Sequence, residues 1–220
     1  MKRIKLLLLL PVLVMVLLFS AMNYKPKKVI FFGDSITQAG VKPGGYVDLI
    51  KKDLDPAKYE VIGAGIGGNK VYDLYLRMEE DVLNKKPDLV VIYIGVNDVW
   101  HKLQHRTGTD YPKFIQFYQA LINKMQAKGI KVVLCTPAVI GEKKAGANEM
   151  DAELDKYACA IRELAAKNNL PMADLRKIFT GYDQENNPEN AEKGILTTDG
   201  VHLNEKGNRT LADTLLPLIK

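Results

Sequence analysis

"VIFFGDSITQAG", residues 29–40, runs four apolar residues straight into Gly-Asp-Ser. β-branched and aromatic side chains without a polar alternate describe a strand covered on both faces, and Gly33 ends it where backbone freedom is needed. Ser35 then stands at the first turn beyond a buried strand. A small polar cluster there suits any strand-to-helix turn, so the stretch alone leaves Ser35 either a turn residue or a nucleophile.

The rest of the chain repeats the pattern. Strand-like runs occur at 29–32, 59–62, 89–94 and 132–134, with a weaker one at 171–173. Apolar residues at helical spacing fill 45–54, 72–83, 114–128, 149–167 and 205–219. Strands alternating with helices imply right-handed crossovers and a three-layer α/β/α fold, with a flavodoxin-like parallel sheet of about five strands. At 220 residues one such domain is expected. In open parallel sheets ligands bind beyond the carboxyl ends of the strands, so the residues following each strand are where chemistry is expected.

Those residues are polar or glycine-rich throughout. After the first strand comes "GDS" (33–35), after the second "GAGIGGN" (63–69) and after the third "GVND" (95–98). "TTDGVHLN" (197–204) precedes the last helix. The glycines after the second strand do not form a dinucleotide fingerprint, which would fall at the first strand with an acid after the second. No G-x-S-x-G elbow is present, which argues against an ordinary α/β-hydrolase.

The four blocks, in this order, resemble those of the SGNH hydrolases, also called GDSL esterases and lipases, over residues 28 to nearly 220. The resemblance implies a nucleophile at Ser35, an oxyanion hole formed by Ser35, Gly68 and Asn97, and a catalytic Asp199 and His202. These residue types suit the chemistry. A serine hydroxyl is a weak nucleophile until an imidazole takes its proton, and an acid three residues before the histidine can hold the other ring nitrogen as a donor. The oxyanion formed on attack needs donors already in place. Asp34 and Asp98 are expected to brace turns through local backbone N–H groups.

The reaction expected is hydrolysis of short-acyl esters, such as acetyl, of carbohydrates or small molecules, through an acyl-enzyme and without metal or organic cofactor. Rival readings are a lysophospholipase or thioesterase acting on lipids, and a catalytically silent carbohydrate-binding module. Trp100 is the favoured substrate contact; Tyr46, Tyr72 and Tyr182 line the pocket or pack. His101 and His105 have metal-like spacing, but no Glu lies beside the first, so no metal site is expected. Residues 141–150 and 181–194 read as surface loops bordering the site. Asn208 heads a glycosylation sequon inside a predicted helix and carries no weight.

Residues 1–22, basic at Lys2, Arg3 and Lys5 and then uncharged from Leu6 to Met22, read as a signal peptide or an N-terminal membrane anchor. A linker at 23–27 and a hydrolase domain at 28–220 follow. The expected location is extracytoplasmic, with membrane contact through the first segment. Of the formal net charge of +5, three units come from that leader, and no Lys/Arg stripe elsewhere marks a nucleic-acid surface. Cys135 and Cys159 are too few for a disulfide framework and are expected as buried free thiols.

Overall fold

The computed structural model describes residues 25–144 and 146–220, so the segment read as a signal or anchor lies outside the described residues. Five parallel strands, β1 (Lys27–Gly33), β2 (Tyr59–Gly65), β3 (Leu89–Tyr93), β4 (Lys131–Cys135) and β5 (Met172–Ala173), lie in the order β2-β1-β3-β4-β5. Among the described residues eight α-helices flank them: α1 (Ser35–Gly40), α2 (Tyr46–Asp53), α3 (Val71–Asp81), α4 (Val96–His105), α5 (Tyr111–Ala127) and α6 (Asp151–Lys167) between strands, and α7 (Leu175–Asn186) and α8 (Glu205–Ile219) after β5. Strand order reverses between β1 and β3, which opens a crevice at their carboxyl ends.

The unbroken apolar run of β1 is explained by two cores. Ile30 and Phe32 face one side with Val90, Ile92, Val132 and Leu134, under Leu74 and Met78 of α3 and Phe114, Tyr118 and Leu121 of α5. Val29 and Phe31 face the other with Val91, Tyr93 and Val133, under Val47 and Ile50 of α2 and Leu211 and Leu215 of α8. Successive strand residues point to opposite faces, so a strand apolar at every position needs a layer of helices on each side.

Several expectations change. β1 begins at Lys27, pairing Lys27 with Tyr59, so the chain enters the sheet two residues before its apolar run. Residues 181–186 are not loop but the last turns of α7, whose Leu175, Ile178, Phe179 and Tyr182 keep helical spacing into the packed layer. The stretch 141–150 is irregular, yet Glu142 in it is fully buried. Cys135 is buried and free as expected, whereas Cys159 is free but exposed on α6 with Sγ toward Glu163. Tyr46 packs: its ring meets Phe31 and Tyr93 edge-on and its hydroxyl bonds Thr37 Oγ1 at 2.8 Å. Asn208 is structural, accepting from the Tyr46 N–H at 2.9 Å and tying α8 to the start of α2.

Candidate active site

β1 delivers Ser35 as the first residue of α1. Asp34 caps that helix, its Oδ1 accepting from the Ile36 N–H at 2.9 Å, as its expected turn-bracing role requires. Gly33 is obligatory here because a Cβ would collide with Thr37 Oγ1 and the Tyr93 carbonyl. Ser35 Oγ lies 2.9 Å from His202 Nε2, and His202 Nδ1 lies 2.7 Å from Asp199 Oδ2. Asp199 Oδ1 accepts from the backbone N–H of Val201 at 3.0 Å and of His202 at 2.8 Å.

These bonds set the tautomer that the imidazole adopts when neutral. Partial burial works against the Asp199 charge, but the bond from the His202 ring and the two backbone amides outweigh it, holding the carboxyl below its ordinary range. An ionised carboxylate only accepts, so Nδ1 carries a proton and Nε2 of the neutral ring is left to accept from the Ser35 hydroxyl. That arrangement lets the ring take the hydroxyl proton as the oxygen attacks.

The loop bearing Asp199 and His202 is pinned from below. Thr197 and Leu203 form an antiparallel bridge, and the Gly141 N–H bonds the Gly200 carbonyl at 2.8 Å. The buried Glu142 carboxylate accepts from the N–H groups of Ile195, Leu196 and Thr197 at 2.8, 2.6 and 2.7 Å. Sequence reading missed Glu142 because a lone acid among Gly, Lys, Ala and Asn carries no periodicity to mark it as buried.

Gly68 and Asn97 come to the same rim. Gly68 has φ +76°, a conformation glycine adopts without strain, and a Cβ there would lie 3.7 Å from His101 Cε1. Asn97, buried in the first turn of α4, donates from Nδ2 to the Asn69 carbonyl at 3.1 Å, which fixes the orientation of its amide. Asp98 corrects the expectation of a local brace. It accepts from the Val71 N–H at 3.2 and 3.3 Å, capping α3 from 27 residues away. Trp100 stands edge-on to the His202 ring with centroids 6.4 Å apart. The His101 and His105 rings are 4.8 Å apart, and among the described residues no third His, Cys, Asp or Glu joins them in a metal-binding cluster.

Beside Asp199 opens a cleft of about 530 Å³ lined by Trp100, Gln104, Lys143, Asn148, Glu149 and Glu192 among others. Both stretches expected to border the site thus contribute to it, 141–150 through Lys143, Asn148 and Glu149 and 181–194 through Glu192. A larger hollow of about 750 Å³, lined by Lys27, Asp88 and Lys131, lies at the amino ends of the strands and contains none of the motif residues.

Two buried acids under the rim titrate unusually. Burial pushes Asp34 up to about 7, with the Ile36 amide opposing and Asp98 adding to the shift; burial likewise pushes Asp98 up to about 6. A carboxyl whose folded pKa exceeds its unfolded value stabilises fully below the unfolded value, and this stability is lost as pH rises through the folded one. For Asp34 the window runs from about 4 to about 7, at up to about 1.4 kcal/mol per pH unit. Asn at this position keeps the oxygen that caps α1 but does not titrate. The melting temperature of Asp34→Asn, relative to the parent, should therefore rise across this window; parallel curves would show that Asp34 does not titrate there.

A model of the GDSL-like Lipase/Acylhydrolase family matches residues 31–210. The acetylxylan esterase of Geobacillus stearothermophilus is 29% identical over 211 residues, covering 86% of this chain and 92% of its own. A probable rhamnogalacturonan acetylesterase of Bacillus subtilis is 24% identical over 197 residues, with 86% and 87% covered. Among solved structures, an acetyl xylan esterase is 59% identical with a TM-score of 0.86, covering 88% of this chain and 100% of that one. The family match spans all four motif blocks, from the serine turn to the Asp-Gly-Val-His loop, and with these relatives it makes the chain a member of the GDSL-like lipase/acylhydrolase family and a carboxylic ester hydrolase.

Proposed function

We propose that this hydrolase removes acetyl groups from acetylated xylan-type polysaccharides or their oligosaccharides, through an acetyl-enzyme on Ser35. The observation that carries the reading is the chain of bonds from Ser35 Oγ through His202 to Asp199 beside a cleft of mixed polar and aromatic lining. Supporting it, structures of the Geobacillus acetylxylan esterase include catalytic mutants in which a serine, an aspartate and a histidine are each replaced by alanine. In that protein the aspartate and histidine are three residues apart, as are Asp199 and His202.

On this reading Ser35 Oγ attacks the acetyl carbonyl carbon while His202 Nε2 takes the hydroxyl proton. The oxyanion is held by the N–H groups of Ser35 and Gly68 and by Asn97 Nδ2. As the tetrahedral species collapses, His202 protonates the departing sugar oxygen. Water, deprotonated by His202, then attacks the acetyl-enzyme, acetate leaves and Ser35 recovers its proton. Trp100 offers an aromatic contact to a pyranose, and Lys143 and Glu192 offer partners for its hydroxyls. Residues 1–22 would export or anchor the enzyme, placing this work outside the cytoplasm where such glycans occur.

The test is release of acetate from acetylated xylan beside a series of p-nitrophenyl esters of rising acyl length. Acetate release from the glycan, with kcat/KM for p-nitrophenyl esters highest at acetyl and at least about tenfold lower at octanoyl, is expected. A preference for octanoyl or longer, with no acetate released from xylan, would replace this reading by a lipid hydrolase.

A further inference from the structure

Arg77, on α3, belongs to none of the four motif blocks, yet its guanidinium meets the ends of the two strands that lead into Ser35 and Gly68 and the side chain of Asn69. Nη2 donates to the carbonyls of Gly33, at the end of β1, at 2.7 Å and of Ala64, near the end of β2, at 3.0 Å. Nε donates to Asn69 Oδ1 at 2.7 Å, and Nη1 pairs with Asp81. The group lies over the Phe32 ring, with Cζ 4.5 Å from the centroid. β1 runs into Ser35, β2 runs into Gly68, and the main-chain carbonyl of Asn69 receives the Asn97 amide. One planar cation therefore spaces the two strand ends and holds the residue that orients the third donor.

We propose that Arg77 is a positioning residue for the oxyanion hole, acting on the reaction through Asn69 and Asn97 without touching substrate. The proposal rests on the role assigned above to Asn97. Planarity is central to it. A guanidinium serves acceptors in fixed directions, whereas a lysine ammonium is a point charge on a flexible stem. Misplacing a donor by a fraction of an ångström weakens it in the transition state, where the charge develops, and leaves ground-state binding intact.

The experiment measures kcat, KM and melting temperature with p-nitrophenyl acetate for full-length Arg77→Gln, Arg77→Lys and Asn69→Ala. Each is made in the parent and in an Asn97→Ala background. Asn97→Ala alone should lower kcat about 10²- to 10³-fold. Arg77→Gln should lower kcat about 10- to 100-fold with KM nearly unchanged, and Arg77→Lys should not restore it. In the Asn97→Ala background the Asn69 change should cost no more than about threefold, because the donor it positions is already gone, and the Arg77 changes should cost several-fold less than in the parent, the remainder acting through the strand ends that lead into Ser35 and Gly68. Asn69→Ala removes only the acceptor of Nε and keeps the Asp81 pair and both strand-end bonds, so it carries the test if Arg77→Gln does not fold. Equal losses in both backgrounds, a rise in KM without a fall in kcat, or full rescue by lysine would each overturn the positioning role alone. An unchanged kcat in Asn97→Ala would overturn it together with the oxyanion assignment on which it rests.

Discussion

Ser35→Ala should lower kcat for acetate release on the order of 10⁶-fold while the protein stays folded. Ser35 Oγ has one side-chain partner among the described residues, His202 Nε2, and it sits half-buried at the open rim of the sheet. Removing it costs one hydrogen bond and opens no cavity in either core, a loss of about 1 kcal/mol or less. The Ile36 N–H that helps start α1 bonds Asp34, so the helix does not depend on the serine side chain. Substrate binding should persist, because the cleft beside Asp199 is untouched, and titration calorimetry with an acetylated xylooligosaccharide would show it. A fluorophosphonate probe, which labels the parent enzyme at its nucleophile, should leave the variant unlabelled. Retention of more than about a hundredth of the parent kcat would exclude Ser35 as the nucleophile.

The contrast between what the sequence revealed and what it hid follows from the range of the interactions. The four blocks could be found because each is a short run in which the residue and its local frame come together: Asp199 and His202 are three residues apart, and Asp34 caps the turn that bears Ser35. Alternating elements are enough to place the first three blocks on one rim, since parallel strands present their carboxyl ends together, and the fourth joins them as the loop before the last helix. Long-range partners left no such mark. Asp98 caps a helix 27 residues away, Glu142 holds amides more than 50 residues on, and Arg77 reaches back 44 residues to Gly33. None of these spacings has a period, so Glu142 and Arg77 read as ordinary surface charges, and Asp98 as a local brace, until the chain is folded. α7 goes unread for a related reason: the acidic and amide-rich residues of its last turns hide an apolar face that Tyr182 continues. Cys159 was misplaced on residue type alone, since cysteine is so often buried, but its position on α6 faces outward.

Asp199→Asn should prove nearly as damaging as loss of the histidine, lowering kcat on the order of 10⁴-fold with the loop intact. The reason lies in how Asp199 divides its two oxygens. Oδ1 receives the N–H groups of Val201 and His202, and Oδ2 receives His202 Nδ1. An asparagine has one oxygen, and two backbone donors demand that it take the Oδ1 place. The amide nitrogen is then forced opposite Nδ1 as a donor. To accept from it the imidazole must move its proton to Nε2, where it points at Ser35 and cannot receive the hydroxyl proton. The substitution therefore keeps every bond that shapes the loop and reverses the one that sets the tautomer. Melting should shift little, fluorophosphonate labelling should slow in parallel with kcat, and KM should hold. Because the Asp199 carboxyl lies below its ordinary range, it stays ionised throughout the neutral region, so the parent should show no loss of activity there from its protonation. An Asn variant within about tenfold of the parent would mean that the ring keeps its catalytic tautomer without Asp199, and that the Asp199 carboxylate serves only to fold the loop.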